Sequence, residues 1–365
     1  MSRRIKAAIS HDGRKDLEIV DAALAAPRGR DVVVQLAACG VCHTDLGAID
    51  AFPAPAVFGH EGAGVVVETG PAVTQVRPGD RVSMTFGSCG VCESCEADSP
   101  AYCWRHGELA AGGPRDDGSP TITRPNGEPL RGAFFQQSSF ATHALATERN
   151  VVRIPDAMPF ELAAPLGCSV QTGVGAVVNQ LRPREGQSLV VFGAGAVGLC
   201  AVMAAKITGV ETIIAVDPNK KRLALAESFG ATVALDAFDE KLIEQIKDHT
   251  GGGAHFSIDA AGKAASFKAA IQCLRPRGVC GVMAPPGKWG EEVAHPGGAA
   301  MMFTTLVGLV EGDSNPGVFI PQLCDWVVEG RLPIRRIVET LPFDRINEAL
   351  DSMRNGDIIK PVLLF

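Results

Sequence analysis

Two rhythms of hydrophobic and polar positions divide the chain near residue 170. From the N-terminus to about residue 165, short alternating runs such as DVVVQLA, GAGVVVETG and DRVSMTF stand between glycine and proline turns. Alternation of period two between such turns is typical of half-buried strands. We therefore predict an all-β, barrel-like region in this part of the chain.

From about residue 170 to 307 each apolar run is followed by a longer segment of helical period. SLVVFG precedes AVGLCAVMAAKITG, ETIIAVD precedes NKKRLALAESFG, and three further apolar runs continue the series. Gly209 and Gly230 stand just past helical stretches, where helix C-termini favour glycine. Repeated strand–helix units of this length predict a doubly wound parallel sheet, and so an α/β protein.

Two segments fit neither rhythm. The tail from 308 to 365 predicts two helices and a final strand, PVLLF, and its composition assigns it to neither region. Residues 107–133 are polar and rich in glycine and proline, and they contain Asn126-Gly127, a hairpin-turn pair. We expect an exposed loop with a small hairpin there.

Length and charge narrow the function classes. A chain of 365 residues exceeds one ordinary core, so two domains are expected. The net charge is −7 and no basic run exceeds three residues, which argues against a nucleic-acid or anionic-membrane surface. Neither a signal-peptide core nor an apolar run long enough to span a bilayer is seen. We expect a cytoplasmic protein.

Eleven cysteines then need an explanation, because disulfides are rare in a reducing compartment. The cysteines can then serve as metal ligands, as catalytic groups or as small buried hydrophobic residues. Four lie in apolar runs and are interpreted as core packing: Cys200, Cys273, Cys280 and Cys324. Cys39 is ambiguous on the sequence alone.

Four of the others stand within one stretch, CGVCESCEADSPAYC. Two-residue gaps let thiolates turn onto a shared ion, and four thiolates complete the shell of a structural zinc. Chance clustering, an iron–sulfur centre and a redox pair are the alternatives, but a ferredoxin-type continuation is lacking and a redox pair needs only two thiols. The predicted ligands are Cys89, Cys92, Cys95 and Cys103.

A second set is dispersed along the chain. Cys42 lies in CGVCHTD, His60 in FGHEGAG and Cys168 in APLGCSVQTG. Taken singly, each residue is more often a buried filler or a satisfied polar group. Together, two thiolates and one imidazole form a three-ligand zinc set that leaves a fourth position for water or substrate. The sequence leaves open whether the three converge.

The stretch VVFGAGAVGLCAVMAA has the context of a dinucleotide-binding turn. An apolar strand leads into a G-x-G-x-x-G turn and then a helix, whose free N–H groups favour a pyrophosphate. Asp217 lies at the tip of the next strand, where an acid binds ribose hydroxyls and disfavours a 2′-phosphate, although Arg222 follows. A structural glycine turn is the alternative. The turn comprises Gly193, Gly195, Ala196, Val197 and Gly198.

These motifs, in this order, resemble the zinc-dependent alcohol dehydrogenases of the medium-chain dehydrogenase/reductase family over essentially the whole chain. CGVCHTD, FGHEGAG, CGVC and FFQQSSFATHALATERN are similar to stretches of bacterial aryl-alcohol and geraniol dehydrogenases. The resemblance implies a GroES-like catalytic domain of residues 1–169 and 308–365. A Rossmann NAD-binding domain would span residues 170–307, with the active site in the cleft between the two.

The resemblance also implies site roles. Catalytic zinc would be held by Cys42, His60 and Cys168. Near it, Asp45 would orient the histidine, Glu61 would approach the ion, and Thr44 would hydrogen-bond the substrate oxygen. Cofactor contacts would come from Thr172 near the nicotinamide, and from His43 and Lys360 near the pyrophosphate.

The implied reaction interconverts primary aromatic or allylic, terpenoid alcohols and their aldehydes. Zinc lowers the pKa of the alcohol and NAD accepts the hydride. Gly47 stands where many relatives have a proton-relaying histidine, so we expect the proton to leave by water or a ribose hydroxyl. His43 replaces an arginine of some relatives, so NAD should bind more weakly as pH rises.

Two rival functions remain open. A thiol-dependent formaldehyde dehydrogenase would need cations for the carrier's carboxylates, and Arg115 and Arg131 are available in the long loop. A zinc-stabilised NAD-binding protein without turnover is the other. For pocket surface, Phe52, Phe86 and Phe303 are candidates, with plain core packing as the alternative. The family implies a homodimer or homotetramer, pairing through the segment 279–285.

Overall fold

The computed structural model describes residues 2–283 and 302–365. In chain order the strands are β1 (Arg3–Ile9), β2 (Glu18–Leu24), β3 (Asp31–Gly40), β4 (Glu61–Thr69), β5 (Arg81–Met84), β6 (Ile122–Thr123), β7 (Pro129–Leu130), β8 (His143–Thr147), β9 (Val151–Arg153), β10 (Ser188–Phe192), β11 (Thr212–Asp217), β12 (Val233–Asp236), β13 (Ala254–Asp259), β14 (Leu274–Val282), β15 (Thr305–Gly308), β16 (Val338–Pro342) and β17 (Lys360–Leu364).

The helices alternate with these strands mainly in the second half of the chain. They are α1 (His43–Ala51), α2 (Glu93–Glu96), α3 (His106–Ala111), α4 (Phe160–Ala163), α5 (Ser169–Gly175), α6 (Ala196–Ile207), α7 (Lys220–Phe229), α8 (Leu242–His249), α9 (Ala264–Gln272), α10 (Pro316–Val328) and α11 (Ile346–Asn355). A π-helical turn, Ala176–Leu181, continues α5. No helix within the described ranges is both long and apolar enough to cross a membrane.

The chain forms two compact units. The first comprises residues 1–168, 315–330 and 334–365, and the second comprises residues 169–314 and 331–333. The tail therefore rejoins the first unit at residue 315, and not at 308 as we expected. The physical reason is local, because Asn179 donates a hydrogen bond of 3.0 Å to the carbonyl of Gly312 and holds this segment in the second unit.

The first unit is built on β-sheet. Its larger sheet has the order β16-β17-β3-β4-β5-β9, with β8 also paired to β3, and a smaller sheet has the order β1-β2-β6-β7. Strand β3 is central and mostly buried, so its alternation is weaker than that of an edge strand. The last strand, β17, pairs antiparallel with β3, which brings the C-terminus beside residues 38–40.

The segment 107–133 differs in part from the prediction. The hairpin at Asn126-Gly127 forms, with the Arg124 N–H donating to the Glu128 carbonyl at 2.7 Å. However, Ile122 and Leu130 are each only 2% exposed. Because β6 pairs with β2, these side chains enter the core of the smaller sheet, and the segment is not simply an exposed loop.

The second unit confirms the predicted parallel sheet. Its strands are all parallel in the order β12-β11-β10-β13-β14-β15, which is the 3-2-1-4-5-6 order of a Rossmann fold. Gly230 ends α7 with φ 119° and Gly209 follows α6 with φ 80°, as the pattern of helix ends predicted. All four cysteines interpreted as core packing are fully buried, and so is Cys39.

Residues 279–282 of the expected pairing segment, 279–285, do not lie at a sheet edge. Strand β14 is hydrogen-bonded to β13 on one side and to β15 on the other, so its backbone groups are already used. Residues 284 and 285 lie outside the described residues. In the described part of the sheet the terminal strand on this side is β15, and Thr305, Leu306 and Gly308 of that strand are exposed.

Candidate active site

The four-cysteine lobe brings its thiols together as the spacing predicted. The Sγ atoms of Cys89, Cys92, Cys95 and Cys103 all lie within 4.8 Å of one another. Cys89 and Cys95 are 4.0 Å apart, close to the separation that two thiolates have on one tetrahedral zinc. Cys95 lies on α2, the other three ligands flank this helix in the sequence, and all four cysteines are free of disulfides.

Backbone N–H groups of the lobe point at the sulfur atoms. Cys89 N–H donates to the Cys103 Sγ at 3.2 Å, and Trp104 N–H donates to the Cys92 Sγ at 3.5 Å. The Trp104 N–H is the main cause that lowers the pKa of Cys92 to about 6. Because these bonds favour thiolates, the residues present fit a structural zinc ion.

A second donor cluster lies in the first unit, and it joins residues that are far apart in sequence. Cys42 is the residue before α1, His60 immediately precedes β4, and Cys168 follows a 3-10 turn at Ala164–Gly167. One donor atom from each of these residues, and one carboxylate oxygen of Glu61, lie within 4.8 Å of one another.

Asp45 organises both loops that carry the front ligands. Its carboxylate is fully buried and accepts the Cys42 N–H at 2.9 Å and the Gly59 N–H at 3.1 Å. The same carboxylate pairs with His60 Nδ1 at 2.8 Å. One side chain on the first turn of α1 therefore fixes the Cys42 loop, the His60 loop and the orientation of the imidazole.

The hydrogen bonding of the His60 ring shows whether a metal ion fits this cluster. With Nδ1 donating to Asp45, Nε2 carries a lone pair, and this buried atom has no hydrogen-bond partner among the described residues. Burial alone would lower the pKa of His60, but the Asp45 carboxylate and the Cys42 thiol together outweigh burial and raise the pKa. A hydrogen bond from Cys168 lowers the pKa of Cys42. Two thiols and one imidazole nitrogen within 4.8 Å of one another suit zinc.

Glu61 is held by Lys360, a partner that the sequence did not predict. The Lys360 Nζ lies 3.0 Å from each carboxylate oxygen of Glu61 and 2.9 Å from the Val41 carbonyl. These three acceptors use all three N–H donors of the ammonium group. Lys360 is 1% exposed, so the expected contact with a pyrophosphate is replaced here by a buried ion pair.

Gly40 and Gly47 differ in the space around them. A Cβ on Gly40 would lie 2.0 Å from the Glu61 Oε2, so a side chain there would displace the carboxylate. A Cβ on Gly47, which is exposed on α1, would meet nothing within 4 Å. The position that lacks a relaying histidine is therefore open.

Aromatic rings surround His60, and sequence reasoning did not single them out. Phe135 stacks on the His60 ring at a centroid distance of 4.6 Å, and Phe134 contacts it edge-on at 5.7 Å. Gln137 donates a hydrogen bond of 2.8 Å to the His60 carbonyl. The run FFQQSS was the available signal, because it begins the stretch FFQQSSFATHALATERN that carries part of the family resemblance.

The predicted cofactor turn has the geometry of close backbone packing. Gly193 has φ 96°, and a Cβ on Gly198 would lie 1.8 Å from the Gly193 carbonyl oxygen. Gly195 precedes α6, and Ala196 and Val197 form its first turn. The turn thus opens directly onto a helix N-terminus, as phosphate binding requires.

Asp217 ends β11 beside this turn. Its carboxylate accepts the Ala194 N–H at 2.7 Å and the Asn219 N–H at 2.8 Å. Arg222 lies on the first turn of α7. Thr172 lies on α5 with its hydroxyl 3.5 Å from Glu311. These residues belong to the second unit, together with the glycine turn.

The five remaining predicted residues differ in how far their side chains are exposed to solvent. Thr44 is half-buried on α1 and His43 is exposed. Phe86 is buried and Phe52 is half-buried, both in the hydrophobic core around His60's aromatic neighbours. Phe303 is 62% exposed.

Comparisons with known proteins agree with both units. The alcohol dehydrogenase GroES-like domain matches residues 28–156, and the zinc-binding dehydrogenase domain matches residues 196–324. A geraniol dehydrogenase from Castellaniella defragrans is 41% identical, over 93% of this chain and 92% of its own. The chain belongs to the zinc-dependent alcohol dehydrogenase family.

Solved structures of alcohol dehydrogenases cover the full chain. A zinc-binding-domain alcohol dehydrogenase from Burkholderia ambifaria has a TM-score of 0.96 and 43% identity, covering 100% of both chains. A benzyl alcohol dehydrogenase from Acinetobacter calcoaceticus has a TM-score of 0.94 and 36% identity, covering 100% of this chain and 99% of its own. As an alcohol dehydrogenase of this family, the protein uses zinc and NAD.

Proposed function

We propose that this alcohol dehydrogenase interconverts primary aromatic or allylic alcohols and their aldehydes at the Cys42–His60–Cys168 cluster. The observation that carries the proposal is the unpartnered His60 Nε2 facing two thiols. The aromatic rings around His60 supply apolar contact surface of the kind that unsaturated substrates need. The two similar enzymes, which act on geraniol and benzyl alcohol by name, support the same substrate class.

Each residue of the cluster has a role that follows from its chemistry. A bound zinc ion would act as a Lewis acid that lowers the pKa of the alcohol. Thr44 carries the hydroxyl that accepts the alcohol proton. Gly47 carries no group that could relay it, so the proton passes to water or to a ribose hydroxyl. Asp45 keeps the His60 ring in the one tautomer that leaves Nε2 free.

NAD is the proposed cofactor in preference to NADP. The Gly193–Gly198 turn offers N–H groups at the start of α6 to a pyrophosphate. Asp217 stands at the end of β11, where its charge accepts ribose hydroxyls and repels a 2′-phosphate. Thr172, His43 and Arg222 are proposed as further contacts.

The formaldehyde alternative has less support from the long loop. Arg115 is bound to Asp31 at 2.6 Å and to the Ala26 carbonyl at 2.9 Å. Arg131 donates to the Ala111 carbonyl at 3.0 Å and lies over the Phe52 ring. Because both guanidinium groups already hold parts of their own unit, neither is a ready site for the carboxylates of a thiol carrier.

A substrate screen tests the proposal. We expect NADH formation from benzyl alcohol, cinnamyl alcohol and geraniol at higher kcat/KM than from ethanol, and slower turnover with NADP. Cys168→Ala should abolish turnover and reduce bound zinc from two ions to one per chain, because it removes one ligand of a single site. Absorbance at the NADH band and metal analysis measure both.

The matched control is Cys280→Ala, which removes a buried thiol outside both donor sets and should keep activity and both zinc ions. Formaldehyde is assayed with and without glutathione. Oxidation that depends on the thiol would favour the formaldehyde reaction, and no NADH from any alcohol would contradict catalysis altogether.

We also propose a homodimer, or a homotetramer built from it, that pairs through β15. The strand ends the described sheet, and Leu306 is 37% exposed on it. Leu306→Lys should lower the mass in solution from a multiple of the 38.2 kDa chain towards a single chain, because a charged edge resists strand pairing. Light scattering after size exclusion measures it. Phe238→Lys, at a residue 81% exposed elsewhere, is the control, and a wild-type monomer would refute the pairing.

The cysteines suggest the compartment. All eleven are free thiols, and both donor sets need reduced sulfur to hold a metal. We therefore propose a reducing compartment, the cytoplasm.

A further inference from the structure

His106 stands where the four-cysteine lobe ends. It is the first residue of α3, three positions after Cys103, and its backbone N–H donates to the Cys103 carbonyl at 2.8 Å. The lobe therefore fixes the place of this imidazole. No role for His106 follows from the zinc ligands or from the cofactor turn.

The imidazole of His106 belongs to the aromatic group next to the metal cluster. Its ring lies 6.1 Å from the Phe86 ring and 6.3 Å from the Phe135 ring, edge-on to the latter. Phe135 in turn stacks on His60. One aromatic ring therefore separates His106 from a proposed zinc ligand.

The Nδ1 atom of His106 is buried and has no hydrogen-bond partner among the described residues. A neutral imidazole carries one N–H donor and one acceptor nitrogen, so Nδ1 can either donate or accept, depending on the tautomer. A buried polar atom without a partner is costly, and such atoms in a native structure call for a ligand or a water.

We propose that His106 is a specificity-determining residue that hydrogen-bonds a polar substituent on the ring of an aromatic alcohol. The substrate class is that of hydroxy-substituted benzyl-type alcohols, and the inference rests on the proposed function. Apolar rings on either side suit the flat face of the substrate, while Nδ1 supplies the one polar contact that fixes its orientation. A phenolic hydroxyl fits either tautomer because it donates and accepts.

A site built to hydrogen-bond a substrate group discriminates strongly against analogues without that group. His106 should therefore separate the hydroxylated substrates from benzyl alcohol itself. A methoxy group only accepts, so it is bound only when Nδ1 carries the proton. Comparing hydroxyl and methoxy substituents identifies the tautomer.

The experiment compares kcat/KM for benzyl alcohol and its 2-, 3- and 4-hydroxy isomers. The wild type should prefer one isomer, and His106→Phe should lower kcat/KM for that isomer by about 10- to 100-fold. Benzyl alcohol should change by less than about threefold, since it makes no hydrogen bond to the residue. His106→Asn, whose amide can take the place of Nδ1, should restore much of the preference, whereas His106→Gln should restore less.

Three checks separate the outcomes. Zinc content and unfolding temperature of each variant report whether the adjoining lobe is intact, and His143→Phe makes the same change at another half-buried histidine. If the wild type oxidises benzyl alcohol and all isomers equally, and His106→Phe keeps that profile, the inference about His106 is wrong while the proposed function stands. If no alcohol is oxidised, the proposed function itself fails.

Discussion

Replacing Lys360 with methionine is expected to destabilise the protein by about 3–5 kcal/mol, because it leaves the Glu61 carboxylate buried without its counter-charge. The side chains of Lys360 and Glu61 are 2% and 0% exposed, so water cannot take over the lost interaction. Burial already raises the pKa of Glu61. Unfolding by urea, followed by circular dichroism, gives the change in midpoint and in free energy.

The double variant Lys360→Met/Glu61→Gln distinguishes the ion pair from simple packing. Removing both charges should recover most of the loss, since no uncompensated charge remains. Lys6→Met makes the same change at an exposed lysine and should shift stability by no more than about 0.5 kcal/mol. An unchanged midpoint for Lys360→Met would show that Glu61 needs no cation.

Asp45→Asn should weaken binding of the catalytic zinc about 10- to 100-fold. The carboxylate accepts three hydrogen bonds, from Cys42, Gly59 and His60, and an amide offers a single acceptor oxygen and no charge. The His60 ring then loses the group that orients it and raises its pKa. Competition with a chromophoric chelator should show one of the two zinc ions released at lower chelator concentration, with activity lost in parallel.

Asp259→Asn is the control for this change. Asp259 is also fully buried, and accepts hydrogen bonds from Ser266 and Ala261 in the second unit, outside both donor sets. Asp259→Asn should leave the chelator concentration that releases each zinc ion unchanged. Equal zinc affinity for wild type and Asp45→Asn would mean that backbone packing alone holds the His60 loop.

Local spacing accounts for what could be predicted. The thiols at 89–103 and the glycine turn at 193–198 each lie within one short stretch, so their geometry is set by neighbouring residues. The strand–helix rhythm likewise predicted that the sheet of the second unit is parallel. The gathering of Cys42, His60 and Cys168 depends on contacts across the first unit, so the residue types named the candidates and only the resemblance implied that they converge.

Contacts between distant segments explain what was missed. Lys360 contacts Glu61 because β17 pairs with β3, two strands far apart in sequence. No local sequence pattern therefore predicts the ion pair. The family resemblance implied pairing through the segment 279–285, but residues 279–282 of that segment are already hydrogen-bonded to β15. His106 resembles an ordinary polar residue at a helix start until Phe86 and Phe135 are seen around it.

The contrast between Gly40 and Gly47 sets practical limits on redesign of this enzyme. Any substitution at residue 40 forces the neighbouring acid out of its place, so that position should be held constant in a mutant library. Residue 47 has room for a larger side chain without rearrangement. Replacing a glycine inside a helix with alanine stabilises the helix by about 1 kcal/mol. Variation of proton transfer can therefore begin at residue 47 without loss of fold.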